Sequence, residues 1–252
     1  MYTVRFYKGD YFDRQQQANA DGCAAYAEHH FNSSENTAAG YAVVIVGSNA
    51  SQTSRNWGRW YAAAVAREFG IPVGGDAGIL VGGYNGRGDG NLRHTSMPAV
   101  LLEPLFASNP QHAAWIRSDD GQSRLARILS ESVQRFFQSG GLIGFSVGHK
   151  YKASSPNDRG APVLGGGTEA DFAEKVLQKA KVMIEAAEAV GAGRTIRVMH
   201  GDTLLWAGSA DEDADVTLDP VRGLLRIAGA APVVTRIGGA APAARRRRTA
   251  GR

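Results

Sequence analysis

Three segments of this chain each end an apolar run on a residue able to bind a metal or move a proton. In Tyr26-Ala27-Glu28-His29-His30-Phe31-Asn32, period-two alternation puts Tyr26, Glu28, His30 and Asn32 on one face of a strand. Val100-Leu101-Leu102-Glu103 closes on a carboxylate, and Gly144-Phe145-Ser146-Val147-Gly148-His149 delivers a histidine just past its apolar residues. Glu169 adds a further carboxylate in the first turn of an expected helix. Two imidazoles and one carboxylate leave an open tetrahedral position on zinc, and a separate carboxylate can shuttle the proton of an activated water. Each residue also has a plain alternative: His149 as a turn residue, His30 as a hydrogen-bonded sheet histidine, Glu103 as a strand-end surface group, Glu169 as a partner of the helix dipole.

Such residues need a scaffold that brings strand ends together. Residues 2–7 and 24–30 read as strands, 41–46 and 99–103 as strands buried on both faces, and 142–147 as another. Helical patterns span residues 12–20, 53–69 (closed by Gly70), 122–137 and 168–190, the last opened by a capping-box pair, Thr168 and Asp171. The Gly-rich residues 74–91 read as loop, with Arg87-Gly88-Asp89 explained by turn chemistry. Strands alternating with helices predict an α/β fold, a mostly parallel twisted sheet with helices on both faces. Open sheets of this kind place their sites at the carboxyl ends of the strands. After Gly191 short strand patterns take over (195–198, 204–207, 216–218, 224–227).

The chain has 252 residues, 43% hydrophobic and 21% charged. Its one cysteine, Cys23, excludes an internal disulfide framework and an all-Cys zinc site, and reads as a small buried residue. The net charge of +4 owes much to Arg245–Arg248, in a terminal stretch expected to be a solvated, disordered tail. The same arginines could grip an anionic wall polymer; nucleic acid is not an expected partner. No apolar run approaches the length of a membrane span, and the N-terminus lacks a signal-peptide pattern, so synthesis in the cytoplasm without a leader is the expectation.

Two blocks carry a resemblance to a known family. Met97-Pro98-Ala99-Val100-Leu101-Leu102-Glu103-Pro104-Leu105-Phe106-Ala107-Ser108-Asn109 resembles the block holding the catalytic glutamate of the zinc-dependent N-acetylmuramoyl-L-alanine amidases of type 3. Asp13-Arg14 through Ala18-Asn19-Ala20-Asp21-Gly22-Cys23, then His30-Phe31-Asn32, resembles the helix and strand that deliver a zinc-binding histidine in an H-x-N motif. The family's opening parts are absent before residue 13. Look-alikes occur near the other end, as Gly148-His149, Arg159-Gly160-Ala161 and Gly166-Gly167-Thr168-Glu169.

The resemblance implies a circularly permuted, phosphorylase/hydrolase-like domain over residues 1–190, cut between the helix of Glu169 and the first strand. A β-rich appendage (191–235) and an Arg-rich disordered tail (236–252) would follow. It further implies a Zn2+ cofactor on His30, His149 and Glu169, Glu103 as general acid/base, and peptidoglycan as substrate, acted on at the wall after phage lysis or virion delivery. A zinc peptidase or amidase on another amide, and a non-catalytic wall-binding or virion structural protein, are the alternatives. Two departures stand out: Lys150 where the family has a small residue, and Glu28 where it has a serine. Glu28 is either a sheet residue or a partner to His30. His29 is a rival ligand expected on the opposite strand face, and His94, His112 and His200 lie outside the motifs.

Overall fold

A computed structural model of the chain describes residues 1–187 and, beyond them, the backbone of five strands ending at Arg236. The chain divides into two compact units, Met1–Ala189 and Val190–Arg252. The first contains β1 (Tyr2–Phe6), α1 (Tyr11–Ala20), β2 (Ala25–His29), β3 (Val43–Val46), α2 (Gln52–Phe69) and β4 (Ile79–Val81). A small hairpin follows, β5 (Gly83–Tyr84) and β6 (Arg87–Gly88), and then β7 (Ala99–Glu103), α3 (Pro110–Arg117), α4 (Asp119–Phe136), β8 (Gly141–Val147) and α5 (Glu169–Ala186).

Six strands form one sheet in the order β1-β8-β2-β7-β3-β4. All neighbours run parallel except β3 and β7. The fold is therefore α/β with a mostly parallel sheet, as expected. Period-two alternation divides its side chains between two apolar layers. Ala25 and Ala27 join a large core with Trp57 of α2, Leu129 of α4 and Val176 of α5. Tyr26, Ile45 and Leu101 point the other way, into a smaller core with Ala18 of α1 and Cys23. Cys23 is buried there beside the Tyr7 hydroxyl, 3.1 Å away.

Local chemistry sets the helix ends. Ser51 caps α2 by accepting from the Ser54 amide, and Gly70 closes it in the left-handed conformation. Thr168 and Asp171 form the expected capping box of α5. That helix ends at Ala186, short of the expected Val190, and residues 188–190 lie outside the described residues. Two expectations need correction. Pro110–Arg117 is a separate helix, capped by Asn109 with Pro110 in its first turn, and α4 starts at Asp119 rather than Gln122. Residues 74–91 are not simply loop. They hold β4 and a hairpin whose turn, Asn85-Gly86, has φ of 51° and 87°, the positive values that a tight two-residue hairpin requires.

In the second unit, β9 (Gly193–His200) and β10 (Thr203–Asp211) pair antiparallel, and β11 (Asp215–Asp219), β12 (Leu224–Ala228) and β13 (Val233–Arg236) form an antiparallel meander. The tail with Arg245–Arg248 lies outside the described residues. No helix among the described residues is long and apolar enough to cross a membrane.

α3 carries a titratable anchor. His112 is buried, and its Nδ1 accepts the Phe106 amide at 3.1 Å, which requires the neutral ring. Burial lowers its pKa to about 4. The unfolded chain, titrating near 6.5, then binds more protons than the folded one between those values, so stability falls as pH drops through that window by at most about 1.4 kcal/mol per unit. Urea unfolding at pH 7 and pH 5 should show a shallower acid loss for His112→Gln than for the wild type. Parallel pH dependences would contradict this assignment.

Candidate active site

The carboxyl ends of β2, β7 and β8 open into a cavity of about 680 Å³ lined by His30, Glu103, His149, Asp158 and Glu169. His30 follows β2, whose register against β8 pairs His29 with Val147. Gly148 therefore lies beside His30, and a Cβ at Gly148 would sit 2.5 Å from the imidazole ring. Absence of a side chain there lets the rings of His30 and His149 approach to 4.9 Å, edge to face. Glu169, in the first turn of α5, reaches between them: its Oε1 lies 2.8 Å from His30 Nδ1 and 3.4 Å from His149 Nε2. Its other oxygen accepts the Ala161 amide at 3.1 Å. Gly160 makes room for this carboxylate, because a Cβ there would fall 2.4 Å from Glu169 Oε2.

The back of each imidazole is held by another carboxylate. His30 Nε2 lies 2.8 Å from Glu28 Oε1, which also accepts from Asn91. His149 Nδ1 lies 3.0 Å from both oxygens of Asp158. Burial raises the carboxyl pKa of Glu28 and Glu169, but the hydrogen bond and charge of His30, joined by Arg14 and Asn91 at Glu28 and by His149 and the Ala161 amide at Glu169, together hold both below the usual range. For His30, burial disfavours the charged ring, yet Glu169 and Glu28 raise its pKa well above the usual value. Asp158 is likewise held low, against its partial burial, by Lys152, the Gly160 amide and His149. The carboxylates that flank His30 thus favour its protonated ring against the cost of burial.

One donor atom each from His30, His149 and Glu169 lie within 4.8 Å of one another, a nitrogen–nitrogen–oxygen set suited to Zn2+. Hydrogen bonding at the opposite ring nitrogens orients both imidazoles for such a role. Glu103, at the end of β7, stands in the same cavity without a hydrogen bond to another side chain among the described residues. Burial raises its pKa to about 7; His30 and Arg87 oppose the rise and Glu169 adds to it.

All four sequence candidates thus converge on one cavity. His29 lies on the other strand face, buried and edge-on to Phe31. Glu28 is the partner of His30 rather than a bystander. Lys150 points to α5 and pairs with Glu174 there. Asp158 was missed by sequence reasoning. Its only signal is an acidic residue in the loop between two cluster residues. His149 also has a φ of +62°, a left-handed conformation that costs roughly 1–3 kcal/mol in a non-glycine residue and persists only where the surroundings impose it.

Comparison with known proteins adds a lineage. A family model described as N-acetylmuramoyl-L-alanine amidase (Amidase_3) matches residues 4–135, just over half of the chain. The match includes His30 and Glu103 and stops short of His149 and Glu169. Among solved structures, the chain is similar to the catalytic domain of CwlV, an N-acetylmuramoyl-L-alanine amidase from Bacillus (Paenibacillus) polymyxa var. colistinus. Identity is 26% over 51% of this chain and 65% of that one, with a TM-score of 0.42. It is also similar to the N-acetylmuramoyl-L-alanine amidase from Clostridium difficile 630, at 20% identity over 52% and 67% with a TM-score of 0.44. A third is Ami1 from Mycobacterium smegmatis, at 20% identity over 51% and 60% with a TM-score of 0.41. The chain spans slightly less than two thirds of the first of these structures. No curated protein matches it.

The raised pKa of Glu103 can be read directly. Carbon-13 carboxyl titration of metal-free protein should show one glutamate with a midpoint of about 7, shifted further upward in Arg87→Ala. A Glu103 midpoint in the ordinary carboxylate range, indifferent to Arg87, would remove the basis for treating it as a proton carrier.

Proposed function

The chain belongs to the N-acetylmuramoyl-L-alanine amidase family, and on that footing we propose that it hydrolyses the amide between the lactyl group of N-acetylmuramic acid and the L-alanine of peptidoglycan. The observation that carries this reading is the His30–His149–Glu169 cluster sharing one cavity with Glu103. Zn2+ would be held by His30 Nδ1, His149 Nε2 and the Glu169 carboxylate. When bound, it supplies Lewis acidity, acidifying water and polarising the scissile carbonyl.

The protein's own groups do the rest. Glu28 and Asp158 keep a proton on the far nitrogen of each imidazole, so that His30 Nδ1 and His149 Nε2 face the centre. Glu103 accepts the proton of the attacking water as its oxygen bonds to the lactyl carbonyl carbon. The glutamic acid so formed then donates that proton to the alanine nitrogen as the C–N bond breaks. The products are a lactyl carboxylic acid and a peptide with a free α-amine. In the metal-free protein burial raises the pKa of Glu103 to about 7, in the direction that suits a carboxyl group which must both accept and donate a proton.

We further propose that the domain is circularly permuted. In support, β8, which leads into Gly148-His149, lies between β1 and β2. The helix that begins at Glu169 finishes beside β1, where Glu185 accepts the Val4 amide at 2.9 Å and Lys181 donates to the Val4 carbonyl. A chain opened between α5 and β1 would leave these contacts.

Mass spectrometry of products from purified peptidoglycan, with and without chelator, tests the activity. The expected products are stem peptides with a free L-alanine amine and intact muramyl glycans, lost on chelation. His149→Ala should lose both stoichiometric zinc and turnover. Glu103→Gln should keep zinc while turnover falls about 10²–10⁴-fold. Cleavage of another amide would reassign the substrate. No cleavage by zinc-loaded protein would favour a wall-binding role, and loss of zinc in Glu103→Gln would make Glu103 a ligand.

A further inference from the structure

The guanidinium of Arg14 is fully buried, although it lies outside the cluster just described. It projects from α1 onto the sheet and spends its donors on the backbone around His149. Nη1 donates to the Val147 carbonyl at 2.9 Å and to Ser146 Oγ at 2.6 Å, while Nη2 donates to the Lys150 carbonyl. Nε donates to the Gly9 carbonyl at 2.6 Å, tying the same group to the turn after β1. The Val147 and Lys150 carbonyls bracket Gly148-His149, the segment that holds His149 at a φ of +62° and is followed by Tyr151 at +67°. Arg14 Nη1 also lies 3.9 Å from Glu28 Oε2, both side chains wholly buried, and Glu28 holds His30.

We propose that Arg14 is a positioning residue that sets both imidazoles of the cluster at once. It clamps the backbone on either side of His149 and places its guanidinium 3.9 Å from Glu28, the carboxylate that holds His30 from behind. The geometry calls for a guanidinium. Its planar fork reaches two main-chain carbonyls of one turn and a third from another, while presenting charge to a carboxylate; an ammonium is a single point with a different reach. The left-handed His149 has a physical cause in this clamp, since strained backbone survives only where neighbours over-determine it. As far as it concerns metal binding, this inference rests on the zinc reading above.

The test compares full-length wild type, Arg14→Lys and a control, Trp57→Phe, which removes a buried hydrogen bond to Ser132 in the helical layer on the opposite sheet face. Three quantities are measured: thermal midpoint, Zn2+ affinity by competition with a chromophoric chelator, and nitrogen-15 imidazole resonances of metal-free protein. Arg14→Lys should weaken Zn2+ binding by about 10–100-fold and shift the ring resonances of both His30 and His149, with His94 unmoved. Trp57→Phe should lower the midpoint alone. If Arg14→Lys fails to fold, Ser146→Ala, which frees one guanidinium donor, should move the same two rings by a smaller amount.

Unchanged His30 and His149 resonances in a folded variant would overturn the proposal, as would an effect on stability matched by the control. Wild-type protein that binds no Zn2+ would defeat the metal reading. The imidazole resonances of the metal-free protein would still decide for or against the clamp.

Discussion

The parallel pairing of β2 with β8 is the constraint on which the site depends. Its register sets His29 opposite Val147, so that the first residue past each strand falls at the same level of the sheet. His30 then lies over Gly148, where no Cβ obstructs it, and the next residue, His149, turns its ring back toward the same point. A one-residue slip would exchange the strand faces. It would send His30 into the large apolar core and bring His29 to the cavity. The burial of both strands on both faces makes such a slip costly, because Ala25, Ala27, Ile143 and Phe145 are matched to the layer of α4 and α5.

Electrostatics follow from that placement. His30 and Glu169 are almost wholly removed from water, and Arg14 and Glu28 completely so. Isolated buried charges would be prohibitive, and each one here has a partner of opposite sign. Arg14 faces Glu28, Glu28 and Glu169 flank His30, and Glu169 also approaches His149. Among the described residues, Glu103 has no ion-pair partner within contact. The same desolvation that its neighbours overcome by pairing is expressed at Glu103 as a raised pKa. One cavity thereby holds carboxylates of two kinds, with the pKa of Glu169 held low beside the imidazoles and that of Glu103 raised by burial.

Much of this was legible in the residue pattern, for identifiable reasons. Alternation along 26–32 announced which of His29 and His30 would face the cavity, because strand periodicity is local. Thr168 and Asp171 announced the start of α5 through cap chemistry, and the apolar runs announced five of the six strands of the main sheet. The fourth, Ile79–Val81, is a three-residue edge strand hidden among glycines. The Asn109-Pro110 cap and the Asn85-Gly86 turn are equally local signals of α3 and the hairpin, but the apolar patterns that flank them are short and give little periodicity. Arg14 and Asp158 are a different matter. Arg14 meets Ser146 and Val147 across 132 and 133 residues of sequence, and no local periodicity encodes such a contact. Asp158 takes its meaning from a loop conformation set by Gly160 and α5.

His30, His149 and Glu169 come from three separated parts of the chain, and in the proposed metal centre they supply two imidazoles and a carboxylate. Zinc K-edge X-ray absorption of stoichiometrically loaded protein measures this directly. The expected spectrum has a low-coordinate nitrogen/oxygen shell at about 2.0–2.2 Å, with imidazole multiple scattering fitted by two histidines in the wild type and by one in His30→Ala, if that variant retains any metal. A sulfur contribution near about 2.3 Å, or a wild-type spectrum lacking imidazole scattering, would contradict it.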